Sequence, residues 1–444
     1  MRGDRDDRSG GGVPLTPGAH PEGKADRWRR RLRSEFSRQV AHTLATRVIL
    51  LPLGVAVSVL VTRALGPEGR GELAVATTLA AVCVQFTNLG LHTSNTYFVS
   101  RRPELLSALT ANTLLVSLAL GGLGAVVAWA VVLALPRLAP LHGPLLALSL
   151  LWVPMALAYM LIQNLLIGIQ QVRVSNRVDV AQKLLGIALL AGIIWAGRAT
   201  PTTAFAANLA ALMIGLGAIL WALRPHLTRP LAAAPALLLE HARYGLKSYF
   251  TSLCAYLMLR IDVLMVQYMR GPEQVGYYSV AVSMADLLYM VPSTVGVLLF
   301  PRLSAMPSRA EQWRQTKRTT LAMLTLLAPL AVIASLAAPW VTRLLFGPAF
   351  LPAVPAFVWL MPGIVAYGAA FASSFLMSVG LPWPVLVMWG LLVLLNVGLN
   401  WVLIARLGFV GASISSSITY VTCFIALTLY ARRLAREEPA GQRP

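Results

Sequence analysis

The sequence predicts an all-α integral membrane protein: about 12 transmembrane helices in two six-helix bundles related by a pseudo-two-fold axis along the membrane normal. Three observations predict it. The chain of 444 residues is 57% hydrophobic and 12% charged, with a mean hydropathy of +0.68, whereas a soluble domain carries roughly 25% charged residues. The apolar residues fall into long blocks, many of about 18 residues or more with few charges, the length that crosses a bilayer. A short motif also recurs halfway along. Gly66-Pro67-Glu68-Gly69-Arg70-Gly71 and Gly271-Pro272-Glu273-Gln274-Val275-Gly276 lie 205 residues apart, and each leads into a helix.

The apolar blocks place helices near 41–63, 72–98, 105–135, 143–170, 180–197, 203–223, 244–269, 276–301, 317–345, 352–379, 382–405 and 409–431. Residues 1–40 form a basic tail, rich in Gly and Pro and expected to be disordered over 1–25. Residues 41–223 form the first bundle and 244–431 the second. Residues 224–243, with Pro225, Pro230 and Pro235, are the cytoplasmic linker, and 432–444 a second cytoplasmic tail. Six helices per half is an even number, so both halves enter the membrane in the same direction and the axis relating them runs along its normal. Such halves leave a cleft between them, the architecture of alternating access.

Charge sets the orientation. Of 37 Lys and Arg residues, 28 fall on the side of the N-terminus and 7 on the other, with Arg47 and Arg260 inside helices. The positive-inside pattern puts both termini in the cytoplasm of a cell-membrane protein. The basic run at Arg27–Arg33 is expected to anchor on anionic headgroups. The net charge of +20 therefore reflects topology, and no aromatic-basic motif points to nucleic acid. Cys83, Cys254 and Cys423 sit inside apolar blocks without metal or disulfide spacing. No cleavage pattern follows the first apolar block, so no signal peptide is expected. Gly121-Gly122-Leu123-Gly124 lies mid-helix and is read as a packing face. No G-x-x-x-x-G-K-[ST] occurs, which argues against ATP as the drive.

Three stretches together carry a family resemblance. They are Leu65–Leu73 followed by Thr87-Asn88-Leu89-Gly90-Leu91; Leu259–Met265, Gly271–Ser279 and Leu299–Ser304; and Leu345–Phe350, Leu395–Asn400, Ala405–Gly408 and Gly411-Ala412. In these the chain resembles the polysaccharide-repeat-unit flippases of the multidrug/oligosaccharidyl-lipid/polysaccharide exporter superfamily. The resemblance implies translocation of undecaprenyl-diphosphate-linked oligosaccharide to the outer leaflet. It implies no cofactor, an ion or proton gradient as the energy source, and membrane lipids, a polysaccharide polymerase and glycosyltransferases as partners. Lipid II flippases of that superfamily usually carry further helices beyond the twelfth, so a repeat-unit cargo is the expectation here. A cation-coupled drug exporter is the alternative transporter. A membrane glycan polymerase or ligase would need larger outward loops, and no enzymatic activity is expected.

Moving a diphosphate and a glycan through hydrocarbon requires Arg or Lys for the phosphates, with amides and hydroxyls for the sugar. The candidate substrate-binding residues are Arg47, Lys247, Arg260, Asp262, Asn88, Gln163 and Asn164. Arg260 and Asp262 lie about 15 and 12 Å below the outer end of their helix. Two residues apart, they cannot face one another. Asp286 on the next helix is at similar depth, so an Arg260–Asp286 ion pair competes with substrate contact. Arg47, near the cytoplasmic end of the first helix, either snorkels or receives the diphosphate together with Lys247. Pro52 has Leu257 as its repeat counterpart, so no paired helix break is expected. His92, Asn95, Asn208, Asn396 and Asn400 join the amide set, for which interhelical hydrogen bonding is the competing role. His92 has no second metal ligand at useful spacing.

Overall fold

The computed structural model describes residues 24–136, 141–228 and 233–437, with side chains from Ile49 onward except those of 51, 235–244, 247 and 248. These residues contain helices and no strand. The helices are α1 (24–65), α2 (67–101, interrupted at 88–90), α3 (Leu106–Ala134), α4 (Gly143–Gly168), α5 (Val172–Trp195), α6 (Pro201–Leu223), α7 (Pro235–Arg270), α8 (Pro272–Ser304), α9 (Arg309–Leu345), α10 (Ala353–Ser378, interrupted at 369–371), α11 (Trp383–Leu407) and α12 (Phe409–Leu434). In lipid a helix satisfies its own backbone, and no open strand can. Proline in the first turn, where no backbone donor is needed, starts α4, α6, α7 and α8. At α6, Thr200 and Thr203 add a reciprocal cap.

α3 to α12 are each long and apolar enough to cross a membrane. α1 and α2 run on from one another, and Gly66 makes them two crossings. Its backbone (φ 65°, ψ −176°) nearly matches that of Gly271 (φ 86°, ψ 178°), where α7 gives way to α8. Positive φ costs glycine little and other residues much. Leu50 and Thr77 would be about 40 Å apart on one straight helix, yet both line a single cavity, so α1 and α2 fold back side by side. α2 bends by a further 50° at Asn88–Gly90.

The repeated motif is where the halves meet. A Cβ on Gly71 would collide with the Pro272 carbonyl, and one on Gly276 would collide with that of Pro67. The same residues of each repeat thus approach the same residues of the other. Arg63 donates to the carbonyls of Leu344 and Leu345 at the end of α9, and Arg70 Nη2 donates to Ser283 Oγ at 3.3 Å. These contacts close the end of the molecule bearing the 66–71 and 271–276 turns, here called the far end. Nearer the opposite, basic end, Gly90 approaches the Gly245 backbone, and Tyr249 donates to the Phe86 carbonyl at 2.9 Å.

Large apolar side chains cover the outside. Leu118, Val126, Leu133, Ile333, Leu336 and Leu394 are exposed, as are Trp195, Trp340 and Trp383. In water such a surface would aggregate; as a belt facing acyl chains it is the expected one, with aromatic residues at the interfaces. The Gly121–Gly124 run is packing, as expected: Gly121 lies against Pro154 of α4 and Gly124 against Thr87 of α2.

Four helices start earlier than expected: α1 at Lys24 and not near 41, α5 at Val172 and not near 180, α7 at Pro235 and not near 244, and α9 at Arg309 and not near 317. In each case polar residues continue the helix beyond the apolar stretch. Arg177 is consequently a helix residue and not a loop charge. If the glycine crossing seals the far end, Gly71→Leu should hold it open. Labelling of a Ser283→Cys reporter by an impermeant thiol reagent from that side should then rise several-fold, and unchanged labelling would place the seal elsewhere.

Candidate functional site

Two neighbouring cavities lie beneath the far-end seal. The first, about 230 Å³, lies between the halves and is lined by Arg70, Thr77 and Thr78 of α2, Tyr256 and Arg260 of α7, and Ser279 and Ser283 of α8. The second, about 480 Å³, lies within the N-terminal half among α1, α2, α5 and α6. Its polar residues are Arg70, Thr77, Asp179, Gln182, Lys183 and Asn208. Arg70 and Thr77 belong to both.

Arg260 and Asp286 form an ion pair at 2.8 Å, with side chains 31% and 40% exposed. Arg260 therefore makes the expected ion pair, and it also lines the cavity between the halves. Arg70 differs. Its one bond is to Ser283, its Nε is buried without a partner, and it makes no ion pair among the described residues. Arg70 is thus a half-buried guanidinium without an ion-pair partner among the described residues, in the wall of the cavity between the halves.

In the second cavity Asp179 is held by Tyr159 Oη at 2.6 Å and by Gln163 Nε2 at 2.8 Å to each carboxylate oxygen. Gln182 and Lys183, three and four residues on, share its helix face and line the same space.

The other candidates are dispersed. Asp262 is a correction: it is 1% exposed and lies inside the C-terminal half, away from both cavities. There it accepts from Tyr278 Oη, from Ser416 Oγ at 3.1 Å and from its neighbour's backbone Val263 N at 2.8 Å. A helix turns about 100° per residue, so Arg260 and Asp262 point to different sides. Gln163 binds Asp179 and is a positioning residue for the cavity wall. Asn164 accepts from Thr96 Oγ1 and donates to the Met160 carbonyl. Asn95 donates to Thr113 Oγ1 and the Leu161 carbonyl. Asn88, 1% exposed, pairs with His92 Nδ1 at 2.6 Å across the α2 break. Asn396 and Asn400 bond each other at 3.0 Å in the buried face of α11. For these amides, hydrogen bonding between or within helices engages the side chain, although Asn400 Oδ1 is buried without a partner among the described residues. Asn208 lines the second cavity. The side chains of Arg47 and Lys247 lie outside the described residues. Among the described residues no three metal-ligating side chains converge.

Sequence reasoning missed Arg70, counted there as an outward loop charge, and the Asp179–Gln182–Lys183 face, of which Asp179 fell just outside the expected helix 180–197. The second could have been read from its spacing of three and four residues; the first needed the knowledge that the 66–71 turn meets its repeat.

The profile of the polysaccharide biosynthesis protein family matches residues 37–307. No curated protein matches the sequence significantly. Among solved structures, an inward-facing multidrug resistance MATE family transporter of the MOP superfamily is 16% identical, with a TM-score of 0.73 over 89% of this chain and 98% of its own. The lipid II flippase MurJ, in an inward closed conformation, is 12% identical, with a TM-score of 0.67 over 90% and 91%. An outward-facing MATE family transporter is 15% identical, with a TM-score of 0.64 over 90% and 95%. At these identities the likeness is one of fold.

The ion pair makes a measurable forecast. A double-mutant cycle on thermal unfolding with Arg260→Ala and Asp286→Ala should give a coupling of about 1 kcal/mol, modest because both groups meet solvent. A coupling near zero would leave Arg260 to the cavity alone.

Proposed function

The chain belongs to the polysaccharide biosynthesis protein family, and from that premise we propose that it is a flippase. Its cargo in this reading is an undecaprenyl-diphosphate-linked oligosaccharide, carried from the cytoplasmic to the outer leaflet by alternating access. The observation that carries the proposal is Arg70, an unpaired guanidinium shared by the cavity between the halves and the cavity of the N-terminal half. Arg70, Arg260 and Lys183 line these neighbouring spaces; Asp179 lines one of them and Asp286 pairs with Arg260, which leaves the lining net positive. A guanidinium binds phosphate oxygens through directed, charge-assisted hydrogen bonds, and the surrounding hydroxyls and amides suit a glycan. A drug exporter for cations would want the opposite sign. In this reading no catalytic step occurs and an ion or proton gradient supplies the drive. A polysaccharide polymerase and glycosyltransferases act before and after it.

The basic end faces the cytoplasm and the far end faces outward, by the 28 to 7 distribution of Lys and Arg. In intact cells an impermeant thiol reagent should label Glu68→Cys and spare Ser304→Cys; the reverse pattern would invert the topology. In a strain whose gene is replaced, Arg70→Ala should abolish surface polysaccharide at normal protein level and leave lipid-linked repeat units in the cytoplasmic leaflet. Arg70→Lys should restore part of the export, since a point charge replaces part of a bidentate contact. Full export by Arg70→Ala would falsify the assignment of Arg70.

A further inference from the structure

An apolar groove of about 870 Å³ lies between α5 and α6, on the outer face of the N-terminal half. Its walls include Val178, Leu185, Ile214 and Ala218, and Arg177 and Arg224 stand at its mouth toward the basic end. Both arginines are exposed, and neither forms an ion pair among the described residues. We propose that this groove is the docking site at which a polyprenyl diphosphate lipid enters from the cytoplasmic leaflet, head on Arg177 and Arg224 and tail along the groove.

Three features of the groove support that occupant. From Arg224 to Ile214 it follows ten residues of α6, about 15 Å, which is half of a hydrocarbon core of roughly 30 Å. It therefore spans one leaflet, with its cationic rim at headgroup depth. α5 is also the least buried of the helices long enough to cross the membrane, so a lipid reaches the groove laterally without parting packed helices. The third feature separates this lipid from an annular phospholipid. The groove backs onto a polar chamber: its wall residue Gln182 also lines the cavity that holds Lys183, Asn208 and Arg70. Gln182 lies over Gly215, whose absent side chain leaves it room: a Cβ there would come 3.0 Å from its Oε1. One amide side chain thus stands between an apolar groove with a cationic mouth and a polar chamber. That arrangement suits a molecule whose head must leave its leaflet while its tail stays in lipid. A phospholipid that stays in its leaflet has no use for a polar chamber one side chain away.

The inference rests on the flippase reading, and its test keeps the two apart. The full chain is reconstituted in nanodiscs of neutral phosphatidylcholine, and binding of undecaprenyl diphosphate is measured for the native protein and the Arg177→Gln/Arg224→Gln variant. Both positions are exposed, and an unchanged unfolding temperature confirms that the variant is folded. The expected result is at least a tenfold loss of affinity in the variant, with a tenfold excess of phosphatidylglycerol failing to displace the ligand from the native protein. A tail-diazirine derivative of the same lipid should label α5 between 174 and 185 and α6 between 214 and 222. Unchanged affinity in the variant, with label elsewhere, overturns the groove and leaves the flippase reading standing, because the lipid still binds. Equal competition by phosphatidylglycerol makes the groove an annular anionic-lipid site and overturns the proposal. No binding of undecaprenyl diphosphate by the native protein overturns both readings.

Discussion

The close crossing of α2 and α8 is the constraint on which the rest of the site depends. Gly71 meets the Pro272 carbonyl and Gly276 meets that of Pro67, so two helices from different halves touch through their backbones. Any side chain at either glycine would hold them apart. Because the crossing is that close, Arg70, one residue before Gly71, cannot point outward as a turn residue would. It lies between the halves, reaching Ser283 on one side and the N-terminal cavity on the other. The proline that starts each helix and the glycine four residues on are spaced alike in both repeats, which is how one contact comes to be made twice.

Inside that frame, ionisable groups meet two different fates. An arginine within a membrane helix costs about 2.5–3.5 kcal/mol on insertion scales, and that cost must be offset by a partner or by water. Arg260 is offset by Asp286. Asp262 is offset by Tyr278, Ser416 and a backbone amide, which fills its acceptor sites and locks α7, α8 and α12 together. Arg70 has one hydroxyl and an orphaned Nε. Stability alone would favour a carboxylate beside it or a neutral residue in its place. An unpaired cation kept at the junction of two cavities is what a site for a transient anion requires.

The fold was legible because a membrane reduces the choices. The twelve blocks, the even count and the Gly66/Gly271 repeat followed from hydropathy and two short motifs, and even the interruption of α2 falls on the Thr87–Leu91 stretch that carried the resemblance. The site was less legible, for a geometric reason. Hydropathy ranks residues by depth along a helix and is blind to azimuth. Arg260 and Asp262 have similar depth and look equivalent, yet one faces the cleft and the other the interior of its half. Arg177 was left outside the expected helix because the polar and charged residues around it diluted the window that would have shown α5 starting at Val172. Arg70 sat at a turn, and which way a turn residue points depends on a partner helix 205 residues away.

The repeat duplicated the helices without duplicating their chemistry. In the C-terminal half the polar groups bond one another: Asp262 with Tyr278 and Ser416, Asn396 with Asn400 and Thr419, and Tyr367 against Tyr289 and Tyr420 with ring centroids 5.3 and 5.0 Å apart. Its cavity is about 200 Å³ and lined without a Lys, Arg, Asp or Glu residue. The N-terminal half keeps a cavity more than twice as large, holding Arg70, Lys183 and Asp179. Interhelical hydrogen bonds of this kind fix the relative placement of the helices that share them. The N-terminal half has such bonds as well, between Asn95 and Thr113 and from Tyr159 and Gln163 to Asp179, but there they surround an open polar space. The crossing at Gly71 and Gly276 ties the two halves together at the end where the cavity between them lies.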